Sequence, residues 1–416
     1  MSSTYYGIFS KRVSQICKLK LQVVKFRSNN NGASIENLLI EVPLCWILSK
    51  FKIKGRCTFV KQLIPSQNSG HHPEKVKMKN KRILLIGGCG SMGTYLTELL
   101  LKTNNDVDIA TNVPGTISAP NLKYILTDAR DLENLKKLLS AHYDGVIDFL
   151  DYAHADYLKR YRLFLENCGH YIFLSSYRVY ADRDKITTEN SPLQRDVSED
   201  EEFRTSGDYS IYKAQNEDLL RQSVFSNWTI VRPSIVFSRM SFPLVSFGAL
   251  CIWNRAMEHR PTLMPDVAVD VCASCTWSGD LAKLFLGVLF NSKCMKEAYT
   301  FSTAEYLTWG EFAKLYRELI GLETWTIPLA EYEKIRVRAQ WSSWQLHYDR
   351  LFHRRMDNSK VLKAIGMTQA EMTPVRKALE LEFAHLDKNY RFTGDMDDIR
   401  NMDRYLAANG SFIRKF

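Results

Sequence analysis

The sequence predicts an α/β protein with a doubly wound parallel sheet and a smaller C-terminal α/β domain. The first sign is the apolar run Ile83–Ile86, which is followed by a glycine-rich turn and then by leucines at helical spacing. The second sign is that further buried runs alternate with amphipathic segments, as in parallel sheets whose strands are joined by helices. These runs lie at 107–110, 124–126, 146–150 and 171–174. With 416 residues, the chain is long enough for more than one domain.

The turn after the first strand has the spacing GxxGxxG, in the strand–turn–helix order that a dinucleotide-binding fingerprint requires. Gly87 permits the tight turn, Gly90 leaves room for a pyrophosphate, and Gly93 lets the helix pack closely on the strand. The N-terminus of the helix would then offer unpaired N–H groups to the phosphates. We therefore predict NAD or NADP as cofactor. The predicted contacts in this turn are Gly87, Gly88, Gly90, Ser91, Met92 and Gly93.

Two strand ends bear on how the cofactor binds. The second strand ends in Thr111 and Asn112, without the carboxylate that would hold the adenine ribose of NAD. This favours NADP slightly, but no arginine stands close by in sequence to hold a 2′-phosphate, so both cofactors stay open. The third strand leads to Asp128, which has two interpretations of equal weight. It is either a cofactor contact at the carboxyl end of the sheet or the N-cap of a helix over 129–139.

A serine, a tyrosine and a lysine form the candidate catalytic group. Tyr209 and Lys213 are four residues apart in a predicted helix, so they share one face. A phenol with a pKa of about 10 is a weak base, and an ammonium one turn away stabilises the phenolate and lowers that pKa. The pair can then move a proton while a nicotinamide carries hydride. Ser176, after the run 171–174, can hydrogen-bond the same substrate oxygen, and Ser175 is the alternative in register.

The joint order of these motifs resembles the extended short-chain dehydrogenase/reductase family, which includes nucleotide-sugar epimerases and dehydratases. The resemblance covers about residues 81 to 385. It implies a Rossmann fold, a catalytic role for Ser176, Tyr209 and Lys213, a contact from Lys213 to the nicotinamide ribose, and a nucleotide-activated sugar as substrate. A homodimer is kept open. Besides the glycine turn and the YxxxK pair, the matching segments are Ser175–Tyr180, Thr188–Pro192, Val231–Pro233, Asp357–Lys360 and Ile365–Gly366.

Three departures from the family pattern matter for function. Leu150–Asp151 stands where the family has a pair of small residues after the fourth strand, so the cofactor contacts there are uncertain. Tyr157 lies near the position at which the family usually has an asparagine. Tyr177–Arg178 replaces the Asp-Glu of the 4,6-dehydratases, so we favour an epimerase or a reductase. The alternative is an atypical, non-catalytic dinucleotide-binding relative that acts as an RNA-binding or regulatory protein.

The charge distribution disfavours nucleic acid as a partner of the main domain. The formal net charge is +10, but residues 1–77 hold 13 Lys and Arg against 3 Asp and Glu. The remaining 43 basic and 43 acidic residues balance, so the basic excess belongs to the N-terminal segment alone. An aromatic and basic stretch from Trp309 to Arg355 is interpreted as packing in the substrate domain rather than as a nucleic-acid surface.

Cysteine usage and hydropathy narrow the class further. The nine cysteines are an odd number without regular spacing, which indicates reduced thiols and a cytoplasmic protein. Cys272 and Cys275 form one CxxC pair without a second, so we interpret them as small buried residues and predict no metal site. No run of about 18 uncharged apolar residues occurs, so no membrane association is expected.

These observations predict four segments. Residues 1–77 form a basic extension, interpreted mainly as lying upstream of a natural start at Met78, with a transit peptide or an accessory module as alternatives. A dinucleotide-binding Rossmann domain spans 78–235 and a substrate-binding domain spans 236–385, although the sheet can recruit residues from beyond 235. The tail 386–416 is expected to be helical and peripheral. The acidic loop Asp196–Glu202 is expected to be a solvated surface turn.

Overall fold

The fold is built on a parallel sheet, as the alternating apolar runs predict. The computed structural model describes residues 80–336 and 343–409 in full, and residues 27–29, 32–34 and 414–415 as strands only. The chain divides after His71 into two units. The described part of the first unit consists of two antiparallel strands, β1 (Arg27–Asn29) and β2 (Gly32–Ser34). The other predictions made for residues 1–77 lie outside the described residues.

Seven strands of the second unit form one sheet in which every neighbouring pair is parallel. They are β3 (Arg82–Ile86), β4 (Asp106–Thr111), β5 (Leu122–Leu126), β6 (Tyr143–Asp148), β7 (Cys168–Leu174), β8 (Trp228–Pro233) and β12 (Glu297–Phe301). Their spatial order is β12-β8-β7-β6-β3-β4-β5. The direction of winding reverses between β3 and β6, and ligands of such sheets bind beyond the carboxyl ends of the strands at this point. The predicted doubly wound α/β fold is confirmed.

Helices cover both faces of this sheet. On one face, Leu96 and Phe285 join the core that contains Ile83 and Leu85. Alternate strand residues point the other way, where Leu84 packs with the next set of helices. The α-helices between β3 and β12 are α1 (Ser91–Leu101), α2 (Leu132–Leu139), α3 (His154–Leu158), α4 (Tyr161–Glu166), α5 (Gln194–Val197), α6 (Glu201–Thr205), α7 (Tyr209–Gln222), α8 (Arg255–Met257) and α9 (Ser278–Val288).

The residues that follow β8 add smaller sheets and a third apolar core. The strands are β9 (Ile235–Phe237), β10 (Thr262–Pro265), β11 (Cys275–Trp277), β13 (Thr324–Ile327) and β14 (Arg414–Lys415). The helices are α10 (Trp309–Ile320), α11 (Leu329–Ile335), α12 (Ser359–Ile365), α13 (Val375–Ala384) and α14 (Asp397–Asn409). β9 pairs with β11 in parallel, and β10, β13 and β14 form a second small sheet. Trp253, Tyr316, Tyr332 and Phe383 are among the aromatic residues of this core.

Two segments from beyond residue 235 belong to the main sheet layer. β12 pairs with β8, and α9 packs beside α1 in the same apolar core. This agrees with the expectation that the sheet recruits later residues. The boundaries at 77/78, 235/236 and 385/386 remain predictions, since the compact unit extends from His72 to Phe416.

Two local expectations need correction. The segment Asp196–Glu202 lies at the surface as expected, with Asp196, Glu199, Glu201 and Glu202 exposed, but its two ends belong to α5 and α6, and only residues 198–200 lie outside the helices. The tail is helical in α14 but not peripheral, since Met402 is fully buried in the third core. Among the described residues, no helix combines the length and the apolar character needed to cross a membrane.

Candidate active site

The glycine turn has the geometry that the fingerprint requires. Gly87 has a φ of 74°, which strains any residue with a Cβ. A Cβ on Gly93 would lie 2.4 Å from the carbonyl oxygen of Gly88, so the first turn of α1 packs against the loop at a distance that only glycine allows. No acidic residue occupies the first turn of α1. The backbone N–H groups at this positive end of the helix dipole therefore face no carboxylate from their own turn, and this favours the binding of a phosphate.

A cavity of about 220 Å³ opens at the carboxyl ends of four strands of the sheet. Its volume is below the roughly 300–1,000 Å³ of drug-sized ligand pockets. Of the predicted contacts, Gly87, Gly90 and Asp128 line this cavity, whereas the Ser91 hydroxyl bonds Ser238 (2.7 Å) and Ser278 (3.1 Å). The lining residues are Ile86, Gly87, Cys89, Gly90, Ala110, Thr111, Asn112, Val113, Thr127, Asp128, Ala129, Arg130 and Leu150.

Asp128 lies in this cavity wall and does not cap a helix. The N-cap of α2 is Asp131, whose carboxylate accepts a hydrogen bond from the Asn134 N–H at 2.8 Å. Asp128 instead accepts from the Arg130 N–H at 2.9 Å. The N-cap interpretation of Asp128 is therefore wrong, because the helix begins at Leu132 rather than at 129. Arg130 lines the same cavity as Thr111 and Asn112. It is distant from both in sequence, so the sequence did not indicate it as a partner for a 2′-phosphate.

The two serines after β7 have different surroundings. Ser175 donates to Glu217 at 2.6 Å, and Glu217 forms a buried ion pair with Arg232. Ser176 is the N-cap of a short 3₁₀ turn over Tyr177–Val179 and accepts from the Arg178 N–H at 3.2 Å. The Ser175 hydroxyl is thus committed to a buried carboxylate, which leaves Ser176 as the candidate for a substrate contact.

Tyr209 and Lys213 lie one turn apart at the start of α7. The Asp208 carboxylate caps this helix by accepting from the Ser210 N–H at 2.9 Å. Lys213 Nζ lies 5.4 Å from the centre of the Tyr209 ring and donates to the Leu174 carbonyl at 2.9 Å. Burial lowers the pKa of Lys213, but the facing Tyr209 and Asp151 outweigh it, and the net effect raises the pKa. Lys213 therefore carries a positive charge beside the phenol although it is buried.

Asp151 joins this group, and sequence reasoning did not assign it a role. Its Oδ1 lies 2.9 Å from Lys213 Nζ, and its Oδ2 accepts a hydrogen bond from the Tyr212 hydroxyl. Burial and the Asp151 carboxylate together raise the pKa of Tyr212. The signal in the sequence was the departure at Leu150–Asp151, since a carboxylate there replaces a small residue next to the predicted cofactor.

A second cation lies near the phenol. The Arg178 guanidinium lies 5.1 Å from the centre of the Tyr209 ring and pairs with Asp208 at 3.1 Å. Asp349 lies behind it, 3.3 Å from Arg350 and 3.5 Å from Arg354. These arginines surround a buried carboxylate, so they are packed inside the molecule rather than spread over its surface. Arg338 and Trp341 of the same basic stretch lie outside the described residues.

A buried carboxyl, Asp148, ends β6 close to the lysine. Burial raises its pKa to about 7, although the Leu150 N–H and the nearby Lys213 act in the opposite direction. Tyr157, at the position of the usual asparagine, is fully buried, and its hydroxyl is 3.4 Å from that of Tyr171. It therefore belongs to the core. Within the part of the chain that the structure describes, no three His, Cys, Asp or Glu side chains are grouped to hold a metal ion.

The parallel sheet, the glycine turn and the Tyr–Lys helix together give this chain the fold that NAD-dependent epimerases and dehydratases have. The fold agrees with the one that the sequence motifs imply. No family model matches the chain.

Solved structures similar to this chain belong to that class. An epimerase of Methanothermobacter thermautotrophicus has a TM-score of 0.56 at 15% identity, covering 80% of this chain and 94% of its own. Two UDP-glucose 4-epimerases, from Thermotoga maritima with UDP-glucose and from Thermus thermophilus with NAD, also have TM-scores of 0.56, at 16% and 17% identity. Each covers 73% of this chain and 98% of its own. The predicted NAD or NADP cofactor agrees with these neighbours.

One curated relative is similar in sequence. It is the chloroplast stem-loop binding protein of 41 kDa b of Arabidopsis thaliana, 26% identical over 248 residues. The match covers 56% of this chain and spans 62% of the length of that relative.

Proposed function

We propose that this protein is an NAD(P)-dependent epimerase or reductase that acts on a nucleotide-activated sugar. The observation that carries the proposal is the buried, charged Lys213 5.4 Å from the Tyr209 ring. Both lie on a helix whose lysine is anchored to the end of β7, where Ser176 follows. The solved neighbours that hold UDP-glucose or NAD support the choice of substrate and cofactor classes.

In this proposal, each residue of the group has one role. Tyr209 takes a proton from a substrate hydroxyl, or returns one, and the positive charge of Lys213 stabilises its phenolate form. Ser176 donates a hydrogen bond to the same substrate oxygen and so orients it towards Tyr209. The nicotinamide, when bound, supplies the hydride acceptor or donor. Gly87, Gly88, Gly90, Ser91, Met92, Gly93 and Asp128 are the proposed cofactor contacts, together with Lys213.

The two activities differ in how often the tyrosine acts. An epimerase oxidises a sugar carbon with Tyr209 as base, lets the keto sugar turn, and reduces its other face with Tyr209 as acid. A reductase performs the second half alone. The carboxylic acid that a 4,6-dehydratase needs is replaced by Tyr177–Arg178, and Arg178 is engaged with Asp208.

The test is turnover by the purified full chain. NADPH is supplied with keto nucleotide-sugars, and UDP-hexoses are supplied with NAD, with products followed by mass spectrometry. Tyr209→Phe removes the proton-carrying oxygen, so we expect kcat to fall by about 10²–10⁴-fold, the range of general acid–base catalysis. Tyr390→Phe is the matched control, since Tyr390 is 47% exposed and lies outside the proposed site.

Turnover that is unchanged in Tyr209→Phe would rule out the mechanism. Absence of turnover in the wild type with every substrate tried, together with absence of dinucleotide binding, would rule out the enzyme. The cytoplasmic location, the homodimer and the disfavoured nucleic-acid partner stay predictions.

An RNA-binding or regulatory protein is the second candidate. Its support is the relative whose name is a stem-loop binding protein, together with the carboxylate that pairs with Lys213. The full chain would be tested for retention of a stem-loop RNA and of a DNA duplex of equal length at increasing salt. The basic N-terminal segment attracts both nucleic acids through their phosphates. Stronger retention of the stem-loop alone would favour this candidate over non-specific attraction.

A further inference from the structure

The ion pair between Asp151 and Lys213 is not needed by the proposed reaction. A lysine ammonium has three protons to donate. In this site, Lys213 Nζ donates to the Leu174 carbonyl at 2.9 Å and lies 2.9 Å from Asp151 Oδ1. Asp151 is held in turn by the Tyr212 hydroxyl through Oδ2. A carbonyl and a carboxylate of the protein itself thus already contact the ammonium.

Asp151 directly follows a residue of the glycine-turn cavity and contacts another. Its neighbour Leu150 lines that cavity, and its own carbonyl accepts from Arg130 Nη1 at 2.7 Å, with Arg130 lining the cavity as well. The side chain of Asp151 is 41% exposed, whereas that of Lys213 is 2% exposed. Part of the Asp151 side chain is therefore exposed, whereas the ammonium and the Asp151 Oδ1 that faces it are both buried.

We infer that Asp151 is a positioning residue that weakens dinucleotide binding, because its carboxylate competes with the nicotinamide-ribose hydroxyls for Lys213. This inference rests on the proposed function. A neutral hydroxyl bonds an ammonium less strongly than a carboxylate does. The ribose gains its contact only if the ion pair loosens, and the free energy of loosening is subtracted from the affinity. The Asp151 carboxylate should therefore affect the Kd of dinucleotides, whose second ribose reaches Lys213. It should not affect the Kd of shorter nucleotides.

The test compares ligands that differ in whether they contain the second ribose. Dissociation constants of NADH, NADPH and ADP are measured by calorimetry for the wild type and for Asp151→Asn. Asparagine keeps the size of the side chain, and its amide oxygen can still accept from Lys213, so the buried ammonium is not left unpaired. ADP carries the adenosine and the two phosphates but lacks the nicotinamide ribose.

We expect Asp151→Asn to lower the Kd of at least one of the two dinucleotides by about tenfold, a typical coupling between two competing interactions. The Kd of ADP should stay the same. Asp218→Asn is the matched control, because Asp218 is a half-buried carboxylate on the same helix, pairs with Arg195 and does not line the cavity. It should leave all three constants unchanged. Thermal melting of each variant confirms that it is folded.

Three other outcomes are informative. Equal NADH and NADPH affinities in the wild type and in Asp151→Asn, with ADP bound by both, would overturn the inference and leave the proposed function standing. Tighter binding of ADP and of the dinucleotides alike would also overturn it, since the effect would not pass through the nicotinamide ribose. Failure of both proteins to bind any of the three ligands would remove the proposed function and the inference together.

Discussion

Asp148 and Asp144 lie on the same strand, but the fold shifts the pKa values of their carboxyls in opposite directions. Asp148 is 2% exposed at the carboxyl end of β6, and burial raises the pKa of its carboxyl to about 7. Asp144, nearer the start of the strand, pairs with Lys81 at 2.8 Å and accepts from the Arg82 N–H. Burial by itself would raise the pKa of Asp144, but the hydrogen bonds from Lys81 and Arg82 outweigh burial, and the net effect lowers this pKa.

This difference predicts opposite pH dependences of stability. Between about pH 4 and pH 7, the unfolded chain loses a proton from Asp148 that the folded chain retains, so this group makes folding less favourable as the pH rises. Asp148→Asn removes the effect. The variant should be more stable than the wild type at pH 8, by up to about 4 kcal/mol of unfolding free energy. Its melting temperature should be higher there, and the difference should shrink at pH 5.

Asp144→Asn serves as the control of opposite sign. The lowered pKa of Asp144 contributes stability above its unfolded value, and this contribution is lost as the pH falls. The variant should therefore melt below the wild type at pH 8. A higher melting temperature for Asp144→Asn, or the same pH dependence for Asp148→Asn as for the wild type, would contradict the assigned environments.

Among the elements, β3, the glycine turn and α1 form the unit on which cofactor binding depends. β3 is buried by helices on both faces, and its apolar residues Ile83–Ile86 are fully buried. α1 begins directly after the turn, and its first residues are placed by the contact between Gly93 and the Gly88 carbonyl. The direction of α1 relative to the sheet, and hence of its N–H groups, depends on that contact.

Gly93→Ala should therefore weaken dinucleotide binding. The added Cβ would lie 2.4 Å from the Gly88 oxygen, so helix and loop must separate. Such overpacking costs about 1–3 kcal/mol of folding stability. The displaced N–H groups should also raise the Kd of NADPH by roughly tenfold, which corresponds to a loss of about 1.4 kcal/mol in binding free energy. Titration by protein fluorescence would measure it. Gly248→Ala is the control, because a Cβ there meets nothing within 4 Å. Equal constants for the wild type and Gly93→Ala would refute the close contact.

At the scale of the whole molecule, a C-terminal helix supports the glycine helix through one buried carboxylate. Glu382 on α13 accepts hydrogen bonds from the Tyr95 hydroxyl (2.5 Å), the Trp277 indole N–H (2.5 Å) and the Arg239 N–H (2.7 Å). Burial and the bond to Glu382 raise the pKa of Tyr95. Residues that are far apart in the chain thus converge on the first helix of the sheet layer.

Removing this carboxylate should destabilise the whole second unit. Glu382→Ala leaves the Trp277 and Arg239 donors without their acceptor, and each buried unsatisfied group costs about 1–3 kcal/mol. We expect a melting temperature several degrees lower, seen in both circular dichroism and tryptophan fluorescence. Glu380→Ala removes a surface ion pair with Lys377 on the same helix and should change little. Similar melting of the two variants would contradict a supporting role for Glu382.

What the sequence determined by itself is the local part of the fold and of the site. Continuous apolar runs predict β3, β6 and β7 because a strand covered on both faces has no polar side, and this pattern needs no knowledge of the neighbours. The glycine spacing predicts the turn because glycine adopts the positive φ of Gly87 without strain and allows the close approach at Gly93. The four-residue spacing predicts that Tyr209 and Lys213 share a helix face. All of these are interactions over a few residues.

The contacts between these local features and groups distant in the chain depend on the tertiary fold. The pairing of Asp151 with Lys213, the position of Arg178 over Tyr209 and the presence of Arg130 beside Thr111 each join different elements. Packing decides such contacts, because the strand order and the helix directions bring together residues that no periodicity relates.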